Sequence, residues 1–243
     1  MTMKQKLRTL SQRLVILTML VMLTGCASLF RDNSNQISFT VQDYLLKASE
    51  TSGAQSQQYQ MLAINQLIAD NNINDAEQLL KTLRTINLDP TIKPQKSIVE
   101  AQLALKQNKP QVAIRKLATV NNTNQLPSQI ITTYYTTLTE AYHRNNDLAN
   151  STIARIRLNA TLTDSDIIQK NEMIIWRSLQ TLSAPTLDRL LKNSSDPLIN
   201  GWLTLAISAK QFSNNPSALA TQIQNWQTAN PGHPANNLLP DAN

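Results

Sequence analysis

Ile68-Ala-Asp-Asn-Asn-Ile-Asn-Asp-Ala76-Glu-Gln-Leu-Leu80 is echoed further along by Leu105-Lys-Gln-Asn-Lys-Pro-Gln-Val-Ala113-Ile-Arg-Lys-Leu117 and by Tyr142-His-Arg-Asn-Asn-Asp-Leu-Ala149-Asn-Ser-Thr-Ile153. A small residue recurs at Ala76, Ala113 and Ala149, and a large apolar one at Leu80, Leu117 and Ile153, at spacings of 37 and 36. Alanine lets one helix lie close against another, and the residue four positions later covers the same face. Each copy also contains asparagines (Asn71-Asn72, Asn108, Asn145-Asn146), which tolerate left-handed backbone where a helix ends. The three stretches therefore predict a helix, a tight turn and a second helix, three times over.

A period of this length suits a helix–turn–helix repeat of the tetratricopeptide kind. The helix before each turn supplies the opposing face: Tyr59, Leu62 and Leu67, then Val99 and Leu103, then Tyr134 and Leu138. Pro90, Pro94 and Pro127 fall between repeats, where they stop helices without breaking one. Beyond the third copy the helical period persists without the repeat. One helix is expected from about Ser165 to Leu182, burying Ile168, Ile174, Ile175 and Leu179. A short one after Ser183, with Pro185 in its first turn, buries Leu187, Leu190 and Leu191. Two more start near Pro197, with Trp202, Leu203 and Ala206, and near Pro216, with Leu219, Ile223 and Trp226. Such helices close the open end of a stack that would otherwise expose its apolar face. The expected fold is all-α: a tetratricopeptide-like helical-repeat solenoid with an irregular helical C-terminal cap, over residues 38–240. Roughly ten helices, with neighbours 8–10 Å apart, would make a body about 50–90 Å long.

The start of the chain has a different logic. Basic residues occupy Met1 to Arg13, and an apolar run follows from Leu14 to Leu23. About ten apolar residues are too few to span a bilayer core of roughly 30 Å, but suit the core of an export signal. Leu23-Thr24-Gly25-Cys26 then resembles the bacterial lipobox, with small residues giving a peptidase access to the backbone before the cysteine. Cys26 is the only cysteine, so no internal disulfide can form, and its position at the cleavage point marks it for lipidation. Residues 1–25 read as a lipoprotein signal peptide and 26–37 as a lipidated tether. One acyl chain anchors marginally and several anchor durably; the lipobox resemblance implies three. Ala27, in place of an inner-membrane-retaining Asp, implies an outer-membrane destination facing the periplasm.

Composition excludes several functions. Four of the 22 basic residues, Lys4, Lys6, Arg8 and Arg13, precede Cys26 and no acidic residue does, so eighteen basic residues face sixteen acidic ones beyond it. The formal charge of +6 is mostly a targeting signal, which argues against nucleic acid as a partner. Only four glycines occur, with no two close together, which argues against phosphate loops and dinucleotide folds. His143 and His233 lie far apart in the chain without Cys, Asp or Glu at metal-ligand spacing. His143 reads as a surface residue near a helix end, and His233, between Gly232 and Pro234, as a capping or packing residue. Asp164 and Asp166 suit the positive end of a helix dipole as caps. Trp176, Trp202 and Trp226 stand beside aliphatic residues and read as core. No catalytic, metal or cofactor site is expected, and the chain reads as a binding or spacing module.

Near the C-terminus the residues become recognisable. Asn200-Gly201-Trp202-Leu203-Thr204-Leu205-Ala206, Gln224-Asn225-Trp226-Gln227, Asn230-Pro231-Gly232-His233-Pro234-Ala235 and Leu238-Leu239-Pro240 together resemble the N-terminal domain of the LpoA family. Ile175-Trp176-Arg177-Ser178-Leu179 and Gln60-Met61-Leu62-Ala63-Ile64 fit as well. With the lipobox, the resemblance covers Cys26 to Pro240. It implies an outer-membrane lipoprotein that reaches across the periplasm to a penicillin-binding protein, a bifunctional peptidoglycan synthase, and stimulates it. The helical part would be the arm, and in the family a second domain similar to periplasmic solute-binding proteins makes the activating contact. The sequence here ends at Asn243, three residues beyond the Leu238-Leu239-Pro240 that leads into that domain in the family. A second reading keeps the repeats and the lipid but has them scaffold another envelope assembly, such as outer-membrane protein insertion. An enzyme stands a distant third.

Overall fold

The computed structural model describes residues 39–84 and 87–240; the segment expected to be an export signal, and Cys26, lie outside them. Among the described residues eleven α-helices follow one another and no strand occurs. They are α1 (Val41–Glu50), α2 (Gly53–Ala69), α3 (Ile73–Arg84), α4 (Lys93–Lys106), α5 (Pro110–Leu117) and α6 (Ser128–Arg144). After these come α7 (Leu148–Asn159), α8 (Ser165–Thr181), α9 (Ala184–Lys192), α10 (Pro197–Gln211) and α11 (Pro216–Ala229). Two 3₁₀ turns, Thr123–Gln125 and Pro234–Leu238, complete the order. No described helix is long and apolar enough to cross a membrane.

Three helix pairs, α2–α3, α4–α5 and α6–α7, form the repeats. Within each pair the helices pack antiparallel, and the first helices also stack on one another, α2 on α4 and α4 on α6. The turn between the partners is the same each time. Asn71, Asn108 and Asn146 adopt φ of 61°, 56° and 59°. The following amide reaches back five residues: Asn72 N to Leu67 O, Lys109 N to Ala104 O and Asp147 N to Tyr142 O, at 2.8–2.9 Å. This is the Schellman arrangement, which satisfies carbonyls left open at a helix end and needs a residue that accepts positive φ. Asn108→Gly is accordingly expected to be nearly neutral, while Asn108→Ala costs about 1–2 kcal/mol, measurable by urea denaturation.

Basic residues two positions before the turn asparagines tie neighbouring repeats together. Lys106 Nζ donates to Asn71 Oδ1 (3.4 Å) and Arg144 Nη1 to the carbonyl of Leu105 (3.0 Å). Along the stacked first helices, Gln95 Nε2 donates to Gln58 Oε1 at 2.6 Å. Buried Gln57 fastens the loop between α3 and α4, donating to Asn87 O and accepting from Asp89 N.

The third repeat departs from the spacing read in the sequence. Its left-handed residue is Asn146, so the turns are 37 and then 38 residues apart. Ser151, five positions on, occupies the place of Ala76 and Ala113, and its hydroxyl donates to the carbonyl of Thr139 at 3.0 Å. Ala149 and Ile153 instead pack, half-buried, against the core of the C-terminal helices. Tyr59, Leu62 and Leu138 are half-buried, while Met61, Ile64 and Leu67 line the first core. Each such side chain, once buried, contributes about 1.5–3 kcal/mol.

The remaining four helices build a separate apolar core around Ile175, Leu179, Leu187, Trp202 and Leu203. Helix α8 packs on α7, α10 on both α7 and α8, and α9 and α11 flank α10. The buried face of α8 runs through Glu172, Ile175 and Leu179, at helical spacing. Ile174 therefore stands about 100° away and is 42% exposed, contrary to the expectation that it lies in the core. Ile168 and Leu191 are half-buried.

Candidate functional site

Most of the segments that carried the family resemblance converge in space at the C-terminal cap, while residues 60–64 lie on α2 in the first repeat. Asn230-Pro231-Gly232-His233 forms a tight turn closed by His233 N donating to Asn230 O (3.2 Å), with Gly232 at φ 73°. Proline before a positive-φ glycine is the signature of a type II turn. The turn drops His233 into the core between two indoles: its ring lies edge-on to Trp202 (5.5 Å between centroids) and to Trp226 (5.1 Å). Such edge-to-face pairs add about 0.5–1.5 kcal/mol beyond burial.

Both ring nitrogens of His233 are committed. Nδ1 accepts from Ala235 N (3.1 Å), capping the 3₁₀ turn Pro234–Leu238, so Nε2 carries the proton and donates to Leu198 O on α10 (2.9 Å). Trp226 Nε1 donates to Gly201 O (2.9 Å) and lies 3.1 Å from Thr204 Oγ1. The ring is close enough to α10 that a side chain at Gly201 would not fit: a Cβ there would lie 2.6 Å from His233 Cδ2 and Nε2. The mid-helix glycine is thus explained by close approach, not by backbone conformation.

Burial pushes the His233 imidazole below its ordinary pKa, against weaker opposing effects of the Leu198 carbonyl and the Glu172 carboxylate. A histidine held neutral in the fold is disfavoured in acid: stability is intact above about pH 6.5 and declines as the unfolded state takes up its proton below that value. Melting temperature should therefore fall as pH drops from about 7 towards 5, and His233→Gln should flatten that slope; an unchanged slope would mean His233 is not buried neutral.

A second, polar cluster holds the same tail from the other side. Glu172, 1% exposed on α8, accepts from Asn159 Nδ2 on α7 (3.3 Å) and from Asn237 Nδ2 in the tail (3.2 Å). Its neighbour Asn171 donates to Asn159 Oδ1 (2.9 Å) and accepts from Arg155 Nη1 (2.9 Å). A buried carboxylate is tolerable only with such partners, so the cluster fixes α7, α8 and the tail to one another. Gln227 Nε2 adds a bond to Pro240 O at 3.1 Å.

The other sequence candidates are dispersed. His143 is exposed in the last turn of α6, remote in sequence and in packing from the cap. Asp164 caps α8, its Oδ1 accepting from Asp166 N (2.9 Å) and Ile167 N (3.0 Å), with Asp166 in the first turn. Trp202 and Trp226 are buried core residues, and Trp176 packs half-buried against the same core. No group of three or more His, Cys, Asp or Glu able to hold a metal occurs among the described residues. Sequence reasoning missed Arg155, Asn159, Asn171, Glu172 and Asn237, because polar side chains on helices give no signal of burial. Gly201 could have been found, since a glycine inside an apolar helix commonly marks a close packing partner.

Comparison with known proteins places this architecture. The family described as "LppC putative lipoprotein" matches residues 34–243. The penicillin-binding protein activator LpoA of Haemophilus influenzae is 28% identical over 238 residues, covering 94% of this chain and 40% of that protein. Its counterpart in Mannheimia succiniciproducens is 30% identical over 235 residues, with coverage of 94% and 40%. The crystal structure of the LpoA N-terminal domain from Haemophilus influenzae superposes with a TM-score of 0.53 and 28% identity, covering 84% of this chain and 93% of that one. The chain spans about 40% of the length of the curated relatives it matches. With the repeats, the cap and the family match over most of its length, the chain belongs to the LppC/LpoA lipoprotein family.

Proposed function

We propose that this chain is the helical arm of an outer-membrane lipoprotein that binds and activates a penicillin-binding protein during peptidoglycan synthesis, without catalysing a reaction itself. The observation that carries the reading is family membership across the helical domain, joined to relatives named as penicillin-binding protein activators. Cleavage before Cys26 and lipidation of its thiol would fasten the arm to the membrane, and Ala27 favours the outer one. The tether 26–37, fully extended, reaches at most about 40 Å, and the stacked repeats carry the reach further into the periplasm. In the repeats, helix faces are fixed by the Asn turns and the Lys106 and Arg144 ties, so a partner meets a preset surface.

The reading is tested in the envelope of the producing bacterium. The wild-type chain should incorporate labelled palmitate, fractionate with the outer membrane and co-purify with a penicillin-binding protein after in-cell crosslinking. Cys26→Ala should abolish the label and leave the protein unprocessed. Retention of label in that variant would reject the anchor. Co-purification with a β-barrel assembly complex and no wall synthase would favour the scaffold reading.

A further inference from the structure

Helices α10 and α11 part on one side to leave an open cleft of about 570 Å³, within the range of small-molecule sites. No Asp, Glu, Lys, Arg or His lines it. Most of its lining is apolar, and its polar groups are carboxamides and hydroxyls: Asn200, Thr204 and Ser208 at successive turns of α10, with Gln222 and Asn225 of α11 and Asn230 just beyond it. Residues three or four apart share a helix face, so the two walls carry rows of neutral donors and acceptors, with Trp226 of α11 also in the lining.

Much of that hydrogen-bonding capacity is uncommitted. Among the described residues, Ser208, Gln222 and Asn225 have no side-chain hydrogen-bond partner. Asn200 Nδ2 donates to Ser194 O (3.3 Å), while its Oδ1 is buried without a partner.

The lining selects a ligand class. Without charge it provides no counter-ion for phosphate, carboxylate or ammonium. A sugar chain is dense in hydroxyls that both donate and accept, and an acetamido substituent presents the N–H and C=O that a carboxamide complements. An extended peptide also carries amides, but the lining has neither a deep apolar pocket for alternate side chains nor a charge to hold a terminus. We propose that the α10–α11 cleft is a binding site for a neutral, acetamido-bearing oligosaccharide. The proposal rests on the cleft alone and stands apart from the activator reading.

The test titrates the purified full-length protein with tetra-N-acetylchitotetraose and follows the Trp226 indole N–H by NMR. Cellotetraose, with hydroxyls and no acetamide, and a neutral Gly-Ala peptide serve as comparisons. Saturable binding of the chitotetraose is expected, weaker for cellotetraose and absent for the peptide. The double variant Gln222→Ala/Asn225→Ala should weaken it by about tenfold or more, with a melting temperature within about 1 °C of wild type because neither residue supports the core. Lys81→Ala, on α3, should leave binding unchanged. Absence of saturation at about 10 mM sugar, full binding by the double variant, equal binding of cellotetraose, or preference for the peptide would each overturn the proposal.

Discussion

Trp202→Ala is expected to lower the stability of the helical domain by about 3–5 kcal/mol, melting it about 10 °C or more below wild type in a domain of this size. Trp202 is fully buried at the centre of the C-terminal core and meets the edge of the His233 ring. Truncation removes the indole from contact with α8, α9 and the tail together, and helices on every side limit how far the site can collapse. The conservative change separates packing from hydrogen bonding. Trp202 Nε1 is buried with no acceptor among the described residues, so Trp202→Phe loses volume but also removes an unsatisfied donor, and should cost only about 1–2 kcal/mol. A loss below about 1 kcal/mol for the alanine variant, by urea denaturation, would mean that the cap core is not built around this residue.

Gly201→Ala should destabilise by a net of about 2 kcal/mol, even though alanine is the better helix former by about 1 kcal/mol. The added methyl would sit 2.6 Å from two atoms of the His233 ring and 3.3 Å from Asn230 Oδ1. The ring cannot swing aside without giving up its bonds to Leu198 and Ala235 and its place between two tryptophans. A double-mutant cycle identifies the cause. In a His233→Ala background the same glycine substitution should become neutral or stabilise by up to about 1 kcal/mol. If the two losses simply add, the collision is not the reason for the glycine.

The repeats were legible because their determinants are local. An asparagine at a helix end and a small residue five positions later are dictated by turn geometry and helix contact, and both can be read from spacing. The third copy was misread because Asn145 and Asn146 are adjacent and equally able to take positive φ; composition does not say which one does. Ser151 then went unnoticed, although serine is nearly as small as alanine and its hydroxyl finds the Thr139 carbonyl. In the cap, the capping role of Asp164 and the packing role of His233 followed from helix-end chemistry and from a histidine flanked by Gly232 and Pro234. On α8, Ile174, expected in the core, is exposed, and Glu172, for which the sequence raised no expectation, is buried. Hydrophobicity ranks isoleucine inside, but Glu172 is held inside by Asn159 and Asn237, partners 13 and 65 residues away, and long-range hydrogen bonding leaves no trace in local periodicity.

The convergence of the C-terminal family-resembling segments around His233 also separates structure from activity. The Trp–His–Gly cluster secures the cap and leads the chain out through Pro231–Pro240; it has no reactive group free to act on a substrate, since both nitrogens of His233 are occupied. Variants of Trp202, Gly201 and His233 should thus act through the stability of the cap.

The most direct measurement adds the purified full-length gene product to a bifunctional penicillin-binding protein from the same bacterium and follows glycan polymerisation and peptide crosslinking of lipid-linked substrate. The account predicts a faster reaction, dependent on direct binding and undiminished by His233→Gln at a temperature where that variant stays folded. An unchanged rate for every such synthase tried, together with no detectable binding, would contradict it.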